Sequence, residues 1–158
     1  MDQEKIYQVL NDPLGKELLH TNKLARLAYV GGDGYPRVIP IGFYWNGAQI
    51  IVCTATSAPK VRALAKNPRV ALTIDTDTQP PHVLLVRGTA DINVVDGVPF
   101  EYLEASKKGI PEPQWNSFEA QVRALYKQMA RIAITPEWAK LFDFETRLPD
   151  FLEQLIRQ

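Results

Sequence analysis

The residues of this sequence best suited to chemistry lie where a predicted strand is followed by a predicted helix. Thr54 and Ser57 offer hydroxyl groups, the start of the helix offers unpaired backbone N–H groups, and Lys60 adds a full positive charge. Together these groups can bind a phosphate or another anion. The alternative is structural: Ser57 is a good N-cap, and Lys60 is then a solvated lysine on a well-capped helix. The junction by itself leaves both interpretations open.

The elements on either side define this junction. Residues Ile50 to Cys53 are apolar and mostly β-branched, which is typical of a buried strand. Val61 and Leu64 then begin an apolar stripe at helical spacing, and Pro59 is tolerated in the first turn of a helix. Cys53 is the only cysteine of the chain, and its place in an apolar strand favours a packed thiol over a nucleophile.

The preceding predicted strand, Arg37 to Trp45, contains two residues that strands usually avoid. Pro40 cannot donate a ladder hydrogen bond, and Gly42 leaves the backbone uncovered. This stretch is therefore either an edge strand or bulge, or a surface on which a flat ligand lies against the main chain. Asn46-Gly47 is a strong two-residue hairpin signal. The stretch is thus expected to pair directly with the strand that leads into the junction.

The rest of the chain predicts hairpin-linked strands surrounded by helices, and such strands tend to close into a barrel. The predicted fold class is mainly β (α+β), a six-stranded antiparallel barrel with peripheral helices. Because small barrels have filled interiors, a ligand is expected outside the lumen, at a subunit interface. The predicted strands are Leu24–Val30, Arg37–Trp45, Ala48–Cys53, Arg69–Asp75, Val83–Val95 and Arg131–Thr135; further helices are predicted after Asp12 and at Pro99–Lys108, Asn116–Ala130 and Leu148–Arg157, with a turn at Pro136–Trp138.

Composition argues against several classes of function. The 158 residues are 46% hydrophobic and 23% charged, as in an ordinary soluble domain, and we expect one domain over residues 1–158. The 18 basic and 18 acidic residues cancel, which argues against a general nucleic-acid binder. The N-terminus is polar and no apolar run reaches membrane-spanning length. We therefore predict a cytoplasmic protein with no nucleic-acid or membrane partner.

Two further motifs resemble ligand sites but are better explained as turns. The glycines Gly31-Gly32-x-Gly34 precede Pro36 and another strand rather than a helix, so a hairpin is favoured over a phosphate loop. The alternating aspartates of residues 75–79 lack the glycine and the closing glutamate of a calcium loop. No metal site is predicted.

Several spaced motifs together resemble the flavin-binding core of the pyridoxamine 5′-phosphate oxidase-like family, over residues 14–95. The resemblance implies the split β-barrel fold, a homodimer, and a flavin at each end of the subunit interface. The motifs that carry it are Arg37-Val38-Ile39-Pro40-Ile41-Gly42, Asn46-Gly47, Cys53-Thr54, Thr56-Ser57-x-x-Lys60 and Asn67-Pro68.

The same resemblance implies a role for each matching residue. Lys60 would contact the ribityl phosphate with help from Thr54 and Ser57, and main chain of Val38 to Ile41 would line the isoalloxazine. Trp138 of a partner subunit is a weaker candidate for the cofactor edge; the alternative is that it anchors the last strand in the core. The cofactor-binding residues that we expect are Val38, Ile39, Pro40, Ile41, Cys53, Thr54, Ser57, Lys60 and Trp138.

Departures from the family pattern restrict the activity. The true oxidases have an arginine just before the phosphate lysine, where this chain has Pro59, and an arginine–histidine pair near the C-terminus. The two histidines here, His20 and His82, lie far from that end. We therefore predict that the protein does not oxidise vitamin B6. Residues 134–144 resemble instead uncharacterised members of the wider group, some of which use FMN and others a deazaflavin, while a related branch handles haem.

The prediction is thus a flavin- or deazaflavin-dependent oxidoreductase acting on a small organic substrate. FMN is the expected cofactor, with the 8-hydroxy-5-deazaflavin coenzyme as the alternative, because both carry the ribityl phosphate that these residues address. A non-catalytic flavin carrier and a haem-binding relative, with His20 or His82 as axial ligand, remain the other hypotheses. No acid–base pair is apparent, so no catalytic residue is assigned.

Overall fold

Seven strands and six helices make up the computed structural model, which describes residues 1–158. The strands are β1 (Ala25–Val30), β2 (Pro36–Ile41), β3 (Tyr44–Trp45), β4 (Ile50–Thr54), β5 (Arg69–Asp75), β6 (Val83–Asp96) and β7 (Gln128–Phe142). The helices are α1 (Gln3–Asn11), α2 (Pro13–Thr21), α3 (Pro59–Lys66), α4 (Phe100–Lys107), α5 (Trp115–Leu125) and α6 (Asp150–Ile156), and a 3-10 turn at Glu112–Gln114 precedes α5.

All seven strands form one antiparallel sheet in the order β2-β1-β5-β6-β7-β4-β3. Only Gly42 and Phe43 separate the two edge strands in the chain, so the sheet curls until its edges lie within about 11 Å of each other at this corner. No ladder joins β2 to β3, and the sheet is not closed. The predicted antiparallel α+β class is confirmed. The predicted six-stranded barrel is wrong in strand number, and its closure is not confirmed.

The extra strand arises because the predicted strand Arg37–Trp45 divides at Gly42. Phe43 is fully buried, and the chain leaves the sheet at Gly42 to place that ring in the core. Of the two explanations for Pro40, the edge strand is confirmed, since β2 pairs only with β1. The Asn46-Gly47 hairpin is also confirmed: Trp45 pairs with Ile50, and Gly47 adopts a φ of +96°.

Two hydrophobic cores lie on opposite sides of the sheet around β4. The larger contains 24 buried residues and collects the inner faces of the strands together with α1, α2 and α3. The smaller lies beneath α4 and α5 and is built from Val98, Leu103, Val122 and Met129. Alternation along β4 divides its side chains between them, because Val52 packs in the large core and Cys53 against the small one.

The second half of the chain contains the largest error of the sequence prediction. The helix predicted over Asn116–Ala130 ends at Leu125, and Met129 and Ala130 belong to β7. Both residues are fully buried and pair with Val95 and Val94 of β6. Fourteen paired positions along β6 outweigh the helical apolar spacing, because ladder hydrogen bonds and burial are gained together.

The predicted turn at Pro136–Trp138 is also wrong, since β7 runs straight through it. Pro136 pairs with Gly88 and Trp138 with Arg87, so Glu137 is the extra residue of a bulge. A Cβ at Gly88 would collide with the carbonyl of Thr135, which explains why this position is glycine. Gly88 therefore lies opposite the bulge of β7.

Candidate functional site

The helix that follows β4 begins without a side-chain cap. Ala58, not Ser57, is the N-cap of α3, and it makes no side-chain hydrogen bond to the helix. Pro59 occupies the first helical position and holds Ala58 in extended conformation, with φ −60° and ψ 138°. The prediction of a Ser57-capped helix is therefore wrong, and with it the purely structural explanation of that hydroxyl.

Several donors at this junction have no partner within the chain. The hydroxyl groups of Thr54, Thr56 and Ser57 take part in no hydrogen bond. The backbone N–H groups of Thr56 and Ser57 are also unpaired, whereas that of Ala58 donates to Ala55. At the start of α3, Pro59 has no N–H and the N–H of Val61 donates to Ala58, so the backbone N–H of Lys60 is the one that joins this set. Uncommitted donors of this kind are suited to bind an anion.

Lys60 lies toward the inner side of α3. Residues three and four positions later, Ala63 and Leu64, share its helix face and are buried. The Lys60 side chain is half-buried, and burial lowers the pKa of its ammonium group. No acidic side chain forms an ion pair with it. A partly desolvated cation without a counter-charge is the feature that most favours an anionic ligand here.

Beside the junction, an open cleft of about 420 Å³ runs along the outer face of α3. Thr56 and Ser57 line it together with Arg62 and Lys66, and Gly32 of the β1–β2 turn closes one end. Lys60 is not part of this lining. Ser57 therefore lines this cleft, and the structure adds two basic residues beside it. The spacing of Arg62 and Lys66, four positions apart, is the signal that sequence analysis missed.

The strand segment Val38 to Ile41 presents a free edge. It occupies most of β2, whose outer edge pairs with no strand of this chain. Val38 is 67% exposed, Pro40 is exposed, and Ile41 is buried in the large core. The β1–β2 turn brings this hairpin to the cleft through Gly32. Main-chain groups of β2 are therefore accessible to a ligand, as the second explanation for Pro40 requires.

Cys53 and Trp138 lie elsewhere. The Cys53 thiol packs in the small core, where burial and the neighbouring Glu101 carboxylate raise its pKa to about 12. It is thus the inert packed thiol that the sequence predicts. Trp138 is half-buried under the Arg87 guanidinium, 4.2 Å from the ring centre, and lines an open pocket with Phe151. Within one chain it is not brought to the α3 cleft.

No group of three or more His, Cys, Asp and Glu side chains is arranged to hold a metal ion. None of the helices combines the length and apolar character needed to cross a membrane.

Fold and sequence together identify the class of protein. Residues 12–143 match the family model described as pyridoxamine 5′-phosphate oxidase, and the chain belongs to this family. The comparison with curated proteins gives no match.

Solved structures show how far the similarity extends. A protein described as F420 Reductase shares 25% identity with a TM-score of 0.62, covering 79% of this chain and 94% of that one. HutZ from Vibrio cholerae, described as a heme storage protein, shares 21% identity with a TM-score of 0.59, over 84% and 93% of the two chains. A putative pyridoxamine 5′-phosphate oxidase from Listeria innocua shares 18% identity with a TM-score of 0.57, over 81% and 94%. The last two show a shared fold alone.

Proposed function

We propose that this protein is a flavin- or deazaflavin-dependent oxidoreductase that binds its cofactor phosphate at the β4–α3 junction. The observation that carries the proposal is the half-buried Lys60 ammonium, which has no acidic partner in the chain. A phosphate dianion would supply the missing counter-charge through charge-assisted hydrogen bonds. Family membership supports this choice of ligand over other anions.

The remaining site residues have complementary roles in this proposal. The hydroxyl groups of Thr54 and Ser57 donate to phosphate or ribityl oxygens, and the free edge of β2 from Val38 to Ile41 lies against the flat ring. A bound flavin or deazaflavin supplies the hydride chemistry, while the chain binds and orients it. Cys53 contributes backbone only, because its thiol faces the small core.

One departure from the family pattern restricts the activity, and one similarity bears on the choice of cofactor. Pro59 occupies the position where the true oxidases have an arginine. The absence of that cation weakens phosphate binding and argues against vitamin B6 as substrate. We propose FMN, with the 8-hydroxy-5-deazaflavin coenzyme as the alternative, and the similarity to an F420 Reductase supports the alternative. The substrate in either case is a small organic molecule.

A homodimer would complete the site. Trp138 lies on an open surface with Phe142 and Phe151, and α6 beside it buries none of its residues. Leu155 and Ile156 on that helix are 63% and 72% exposed. An apolar surface of this kind is suited to a symmetric contact, through which the partner subunit's Trp138 would reach the cofactor edge.

Parallel titration of FMN and the deazaflavin coenzyme, followed by fluorescence, tests the phosphate assignment. We expect Lys60→Ala to weaken the preferred cofactor by about 10- to 100-fold, the effect of losing one charge-assisted contact. Lys66→Ala, on the outer face of the same helix, is the matched control and should change affinity by less than about threefold. If Lys66→Ala has the larger effect, the phosphate lies in the outer cleft and the Lys60 assignment is wrong.

A second measurement separates enzyme from carrier. Oxidation of the reduced cofactor that accelerates with added organic acceptors supports the oxidoreductase, whereas tight binding with no acceleration indicates a carrier. A Soret band in the purified protein, lost on substitution of His20 or His82, would instead favour the haem-binding hypothesis.

A further inference from the structure

A second cavity lies apart from the β4–α3 junction, between α2, β3 and α4. Its volume is about 190 Å³, the space of about six water molecules. Its walls combine apolar and titratable side chains, namely Leu19, His20, Tyr44, Trp45, Glu104 and Lys108. None of them belongs to the proposed cofactor site.

Lys108 is the unusual member of this set. Its Nζ lies 3.7 Å from the ring centre of Phe43, a residue with no exposed surface. Glu104 in the same wall pairs with Lys107 at 3.1 Å, and no carboxylate forms an ion pair with Lys108. Burial lowers the pKa of the Lys108 amine to about 8. The Phe43 face and the C-terminal end of α4 both favour the charged form, but neither replaces the lost hydration.

The other charged groups around the amine are few. His20 faces the cavity from α2, Tyr44 from β3, and Glu104 from α4. The side chain of Lys23 passes the end of α4 beside Gly109 and adds a second positive charge nearby. These groups leave a primary amine that is half-buried, free of a salt bridge and placed over an apolar ring.

We propose that the Lys108 amine forms a reversible imine with a small uncharged aldehyde that enters this cavity. The nitrogen lone pair attacks the carbonyl carbon to form a C–N bond. Both amine protons then leave with the carbonyl oxygen as one water molecule, and a C=N bond remains. No oxidant or reductant is needed, and hydrolysis reverses the step.

The cavity itself defines the class of aldehyde. Leu19 and Trp45 provide apolar walls for an aliphatic chain, and the volume limits that chain to a few carbons. A short aliphatic aldehyde such as propanal therefore fits better than a charged one such as glyoxylate.

Reductive trapping with propanal and cyanoborohydride, read out by peptide mass spectrometry, tests the proposal on the full chain. A pKa near 8 leaves about 300 times more neutral amine at pH 7 than a pKa of 10.5. We expect Lys108 to be propylated at least tenfold faster than the exposed Lys16, with a pH profile that levels off above about pH 8. Lys108→Arg should remove the fast site, while Lys107→Arg should leave it intact.

Equal rates at Lys108 and Lys16, or a Lys108 rate that still rises steeply above pH 9, would overturn the proposal. Both rates come from the unsubstituted protein, so the test does not depend on how a variant folds. Saturating FMN should leave the Lys108 rate unchanged, and protection by FMN would show that the amine belongs to the cofactor site. If neither FMN nor the deazaflavin coenzyme binds, the proposed function is wrong but the trapping result stands.

Discussion

The two sides of β4 differ in how completely their polar groups are paired. On the small-core side, Glu101 is 6% exposed and accepts a 2.8 Å hydrogen bond from Nε of Arg131, the residue opposite Cys53 in the ladder. From Thr54, the last residue of β4, to Lys60 on α3, three hydroxyl groups and the Lys60 ammonium have no partner. A buried ion pair and a group of unpaired donors thus lie close together at the end of β4.

The difference in charge pairing between the two sides of β4 indicates a different role for each side. A buried charge whose partner is present contributes to a defined fold, and its loss leaves the other charge without compensation. A half-buried charge without a partner lowers stability slightly and is retained where a ligand can supply the counter-charge. The small-core side therefore maintains the structure, and the unpaired groups at the junction are the basis of the proposed binding site.

Thiol chemistry should show the largest contrast between the two sides. A pKa of about 12 leaves roughly a thousandfold less thiolate at pH 8 than a pKa of 9, so Cys53 should react with a disulfide reagent at least 100-fold more slowly than a free thiol. In the double variant Cys53→Ser/Thr54→Cys, the thiol moved by one residue should react at close to the rate of a free thiol. Similar rates in the two proteins would remove the contrast.

The raised pKa of the Cys53 thiol also makes the stability of the fold depend on pH. Because the unfolded chain releases the Cys53 proton at a lower pH than the native state, this residue stabilises the fold below about pH 9 and loses that contribution as pH rises toward 12. Comparing urea midpoints of the protein and its Cys53→Ser variant between pH 8 and 10.5 measures this slope. A constant difference between the two would contradict it.

Breaking the buried ion pair should have the next largest effect. Glu101→Leu leaves Arg131 without its partner, and because the Arg131 side chain keeps 26% exposure we expect a loss of about 2–3 kcal/mol in the free energy of unfolding. Glu104→Leu on the same helix breaks the more exposed pair with Lys107 and should cost less than about 1 kcal/mol. Adding Arg131→Met to Glu101→Leu should restore part of the loss. Urea unfolding measures all three.

The smallest expected effect is the stabilisation of the protein by inorganic phosphate bound at the β4–α3 junction. Inorganic phosphate at tens of millimolar should raise the melting temperature by about 2–4 °C through binding to the native state alone, and Lys60→Ala should abolish the rise. Sodium chloride at the same ionic strength is the control. A rise that persists in Lys60→Ala would assign the effect to Arg62 and Lys66 in the outer cleft.

Local signals account for the parts of the fold that sequence analysis predicted correctly. Asp12 caps α2 by accepting the N–H of Leu14, and Pro13 begins that helix. Asn46-Gly47 makes the expected hairpin. Each depends on the backbone preferences of two or three adjacent residues, which the sequence contains in full.

Apart from the Ser57 cap, which Pro59 shifts to Ala58, the incorrect predictions concern a partner distant in sequence. Met129 and Ala130 have helical spacing but are strand residues because β6 is available to pair with them. Glu101 was not singled out, since its Arg131 partner is 30 positions away. The same holds for the cavity at Lys108, which depends on Phe43 and on helices from two parts of the chain.

What the sequence by itself determined is therefore the family, the antiparallel α+β class and the strand-to-helix junction before α3 at which we propose the anion site. These follow from residue types at short spacing, where backbone preference and charge act locally. Only the tertiary structure decided that the sheet is open with seven strands, that Lys60 is half-buried with no acidic partner, and that Cys53 faces a separate core. Burial and pairing depend on which distant segments pack together, and that packing decides which charges are left without a partner.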